Sequence, residues 1–104
     1  MERLLVGIMG DEETIMGFLF TGLENSVDNP NMIIVNADTS DEDLNCAFDT
    51  LVSRPDISII FICDFVAARL RKKIKYYQGV VPSILEIPSR TRMLDIEKEK
   101  LANK

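Results

Sequence analysis

The sequence predicts an α/β fold, a small four-stranded parallel sheet flanked by helices and followed by a polar tail, on three observations. Four short apolar runs are continuous rather than alternating, as strands covered on both faces are. Between them lie segments whose apolar residues repeat with a helical period. The two kinds of segment alternate along the chain, the order that builds right-handed βαβ crossovers.

Leu4–Met9 (LLVGIM) is the first strand, closed by Gly10. Asp11–Glu24 reads as a helix in which Ile15, Met16, Leu19, Phe20 and Leu23 form a broad inward face, with Asn25 as its stop. Met32–Val35 is the second strand, with Pro30 just upstream. From Ser40 to Ser53, Leu44, Ala47, Phe48, Leu51 and Val52 make a one-sided stripe, and Ser40 with Asp43 has the spacing of a capping box. Ile57–Cys63 (ISIIFIC) is the third strand, rich in β-branched residues. Asp64–Tyr77 is a third helix, with Asp64 as its N-cap, Val66, Leu70, Ile74 and Tyr77 inward, and Gly79 able to end it. Val80–Ile87 is the fourth strand: Pro82 lies near its start, where a missing amide is tolerated, and Pro88 lies just beyond its end. Glu86 then falls near the carboxyl edge of the sheet, where open α/β folds place their functional surface. The assembly is receiver-like or Rossmann-like. Residues 1–88 are expected to form one globular unit and residues 89–104 a flexible or helical tail.

The chain has 104 residues, 46% of them hydrophobic, enough for one modest core. No apolar run reaches the roughly 20 residues that span a bilayer, and the N-terminus lacks the basic flank and cleavage site of a signal peptide, so no direct membrane insertion is expected. The net charge of −5 argues against nucleic acid as a partner, since Lys and Arg must neutralise phosphate. Histidine is absent, which removes imidazole-based acid/base chemistry, Ser-His and Cys-His pairs and imidazole zinc sites. Cys46 and Cys63 form no C-x-x-C pair; Cys63 ends an apolar run and is expected to pack as a small hydrophobe, in a reducing compartment. No catalytic residue, cofactor or metal is expected.

The turn after the first strand, Gly10–Thr14 (GDEET), occupies the place of a nucleotide-binding loop but carries Asp11, Glu12 and Glu13, which repel phosphate and complement the helix dipole instead. Neither G-x-G-x-x-G nor G-x-x-x-x-G-K-[ST] occurs. A rival reading is a receiver-like regulatory domain, in which Asp11, Glu12 and Asp64 hold Mg²⁺ and Asp64 accepts phosphate. It lacks a fifth strand and the lysine that follows it. Arg69, Arg71, Lys72, Lys73 and Lys75 make the third helix basic, either a solvated face or a surface that steers an acidic partner.

Two separate strings carry a resemblance to a family. Gly10–Thr14 followed by Gly17, Phe18, Leu19 and Gly22, and then Pro82–Ser89 (PSILEIPS), resemble the first strand–helix junction and the last strand and exit turn of the F-subunit family of V-type ATPases. DISIIFIC resembles its third strand, so the likeness covers about Leu5 to Ser89. The resemblance implies a non-catalytic central-stalk component that binds the coiled-coil rotor protein, the D subunit of the V-type ATPase, and, through it, meets the catalytic A/B hexamer and the membrane-embedded ring. It implies help in coupling ATP hydrolysis to proton translocation, within a peripheral complex on the cytoplasmic side of vacuolar or other acidifying endomembranes. It also implies that the C-terminal segment reaches along the rotor. Met93, Leu94, Ile96 and Leu101 supply apolar positions there, and a helix this short is stabilised by docking rather than alone. Ile87, Pro88, Ser89, Arg90, Ile96 and Leu101 are the expected partner-binding residues.

Overall fold

A computed structural model describes residues 5–79 and 81–89. The described chain runs β1 (Leu5–Gly10), α1 (Glu12–Phe20), β2 (Met32–Ile34), α2 (Asp41–Val52), β3 (Ile57–Cys63), α3 (Asp64–Arg69), α4 (Arg71–Tyr76) and β4 (Ser83–Ile87). The four strands form one parallel sheet in the order β2-β1-β3-β4, as an α/β fold of this pattern requires. Leu4, Val80, Arg90 and the tail expectations, including Ile96 and Leu101, lie outside the described residues.

The strand order decides where the helices go. The chain steps from β1 to β2 in one direction and then from β2 to β3 and β3 to β4 in the other. Right-handed crossovers therefore put α1 on one face and α2, α3 and α4 on the other. Two core clusters reflect this division. The larger contains Met9 and Val35, with Leu44, Phe48 and Leu51 from α2, Ile57, Ile60, Ile62 and Cys63 from β3, and Val66, Ala67 and Leu70 from α3 and its end. The smaller holds Ile8, Ile15 and Met32, with Val6, Phe18, Leu23 and Phe61 half-buried against it.

The helix α2 forms as its stripe predicts: Leu44, Phe48 and Leu51 are buried, and Ser40 Oγ accepts from the Asp43 amide at 3.1 Å as the N-cap. The first helix is shorter than its apolar pattern. It ends at Phe20 rather than near Asn25, because Gly22 adopts φ +96° and its amide and that of Thr21 turn back to Leu19 and Phe18 carbonyls at 3.1 Å. Asn25 instead braces the loop before β2, where its Oδ1 accepts from the Asn31 and Met32 amides at 3.1 Å each. Asn31, fully buried, donates through Nδ2 to the Val6 and Glu24 carbonyls, so the same loop is pinned to β1.

The third predicted helix is two. It breaks at buried Leu70 (φ −105°, ψ 17°), whose amide bonds back to Val66 and whose carbonyl receives Ile74. Its N-cap is Cys63, and Asp64 is the first helical residue, accepting from the Phe65 amide at 2.7 Å. β4 begins only after Pro82, since proline has no amide to give to the ladder. Pro82 is buried, and its carbonyl accepts the Tyr77 hydroxyl.

Candidate functional site

Packing on the two faces is unequal. α1 lies over β1 and β2 and reaches β3 through Phe18, whose ring stacks on Phe61 with centroids 5.4 Å apart. Four strands about 4.8 Å apart make a face roughly 15–19 Å wide, while one helix covers about 10 Å. Among the described residues, the β4 side of this face is therefore left open. Leu85, the register neighbour of Phe61 and so on the same face, is 48% exposed.

Beside α1 the opening becomes a groove of about 940 Å³ that runs from the Glu12–Thr14 turn along Met16 and Phe20 and is closed by Ile87 and Pro88 at the exit of β4. Its walls are mainly apolar. Met16, Leu19 and Phe20 were expected inward, yet they are 46%, 38% and 85% exposed; only Ile15 of α1 is buried. The helical period marks α1 as apolar but does not say which part of that surface its own chain covers. Sequence reading thus placed Met16 and Phe20 in the core and missed them as groove residues. A usable signal was present: Ile15, Met16, Phe18, Leu19 and Phe20 make α1 apolar almost all round, a pattern proper to an enclosed helix.

Of the expected partner-binding residues, Ile87 is half-buried, packing on the larger core while lining the groove, and Pro88 is exposed on its rim. Ser89 is buried. Arg90, Ile96 and Leu101 lie outside the described residues.

The acids of the GDEET turn act locally. Asp11 Oδ1 accepts from the Thr14 hydroxyl and stands 3.7 Å from Cys63 Sγ, and Glu12 and Glu13 occupy the first turn of α1, where the helix dipole favours them. Among the described residues no three His, Cys, Asp or Glu side chains gather as a metal site requires, so Asp11, Glu12 and Asp64 are not brought together as the receiver reading needs. Gly10 allows the close approach of β1 to β3: a Cβ there would collide with Cys63 Sγ. Burial pushes the Cys63 thiol up to about 11. Glu86, at the carboxyl edge of the sheet, lies 3.7 Å from Arg71 as an ion pair.

Among the described residues, three of the five basic residues of the third predicted helix form ion pairs inside the chain. Arg69 bonds Asp41 at 2.7 Å and Lys73 bonds Asp49 at 2.6 Å, tying α3 and α4 to α2, while Arg71 faces Glu86. Among the described residues no helix is long and apolar enough to cross a membrane.

Comparison with known proteins gives a consistent result. The family model described as the ATP synthase (F/14-kDa) subunit matches residues 6–104. The V-type proton ATPase F subunit of Dictyostelium discoideum is 37% identical over 102 residues, covering 96% of this chain and 85% of that protein. The protein of the same name from Homo sapiens is 33% identical over 99 residues, covering 93% and 83% respectively. The crystal structure of the V-type ATP synthase F subunit from Archaeoglobus fulgidus superposes with a TM-score of 0.60 at 20% identity, over 83% of this chain and 99% of that one, and supports the fold.

Proposed function

Since the chain belongs to the ATP synthase (F/14-kDa) subunit family, whose matching relatives are named as the F subunit of the V-type proton ATPase, we propose that it is a non-catalytic central-stalk component of a V-type ATPase. In this reading it binds the coiled-coil D subunit, turns with it inside the catalytic A/B hexamer, and helps couple ATP hydrolysis to proton translocation through the membrane-embedded ring. It works in a peripheral complex on the cytoplasmic side of acidifying endomembranes. Residues 1–88 are the globular unit, and residues 89–104 form a tail that shares in the contact through Arg90, Ile96 and Leu101.

One observation carries the reading: an apolar face left open beside α1, continuous at Ile87 and Pro88 with the segment that leads into the tail. Contiguous exposed apolar surface of this kind marks a protein partner. Glu12 and Glu13 then need no chemistry of their own; they set the charge at the rim of a docking surface.

The test is co-expression with the D subunit from the same organism, followed by size-exclusion chromatography with light scattering, for the full chain and for a version ending at Ser89. A one-to-one complex that weakens on truncation is expected. A full chain that elutes alone at every concentration contradicts the reading.

A further inference from the structure

We draw no further inference here: the strongest candidate, the apolar groove between α1 and the exit of β4, belongs to the docking surface already described, and nothing in the structure shows what covers it.

Discussion

The two faces of one sheet are finished differently. On the side of α2, α3 and α4, Leu44, Phe48, Leu51, Val66 and Leu70 are all at 3% exposure or less; on the side of α1, Met16, Phe20 and Leu85 stand open. The cause is topological rather than compositional. Both faces receive apolar residues, but among the described residues the strand order sends three helices to one side and a single helix to the other. Apolar surface that the described sheet and helices supply and do not cover is therefore the place to look for function in a small α/β domain.

The sharpest way to break this comparison is to truncate one aromatic on each face. Phe48→Ala removes a buried ring and is expected to cost about 3–5 kcal/mol, whereas Phe20→Ala in the free chain should change stability by no more than about 0.5 kcal/mol. Urea titrations of the two variants measure this directly, and similar losses for both would mean that α1 is as enclosed as α2.

Arg54, just beyond α2, is next in size. It is 8% exposed, donates to the Asn29 and Pro30 carbonyls at 2.9 Å each, and pairs with Asp56 at 2.8 Å. Arg54→Ala leaves those acceptors without a donor and is expected to cost about 2–3 kcal/mol. Its hydrogen bond also holds the Asp56 carboxyl below the ordinary 3.8. That contribution is present above pH 3.8 and is lost as pH falls through the lowered folded value, so Asp56→Asn should reduce the acid sensitivity of thermal unfolding.

Cys63 tests the closed side from the alkaline direction. Its thiol rises from 9.0 to about 11 on burial, so the folded chain keeps a proton that the unfolded chain releases. Stability from this group is full below pH 9 and declines as pH rises toward 11. Under native conditions a maleimide should label exposed Cys46 and leave buried Cys63 unmodified, as mass spectrometry of the intact chain would read. The smallest effect belongs to the ion pair between α4 and α2. Lys73→Ala removes an exposed contact to Asp49 and should change stability by about 0.5 kcal/mol or less.

Much of the closed side was legible in the sequence. β3 occupies Ile57–Cys63 as its β-branched run implies, and α2 buries Leu44, Phe48 and Leu51 of its predicted stripe. These elements are specified locally, α2 by side chains that face one core and β3 by an apolar run divided between the two. The open side was less legible because its limits are set from a distance. Periodicity found the apolar surface of α1, but whether Met16 and Phe20 are covered depends on a strand order that no single segment encodes. Gly22 rather than Asn25 ends α1, since a positive φ competes better than an exposed amide side chain. The break at Leu70 and the shift of the cap from Asp64 to Cys63 are features that residue spacing does not define. The groove joins residues 12–21 to Ile87 and Pro88, far apart in sequence and brought together only by folding.

The most direct test of the account is hydrogen exchange on the full chain, free and mixed with the coiled-coil D subunit. It predicts new protection confined to α1 and the exit of β4, with α2 unchanged. Protection on α2 or α4 instead, with α1 exchanging as in the free chain, would contradict it.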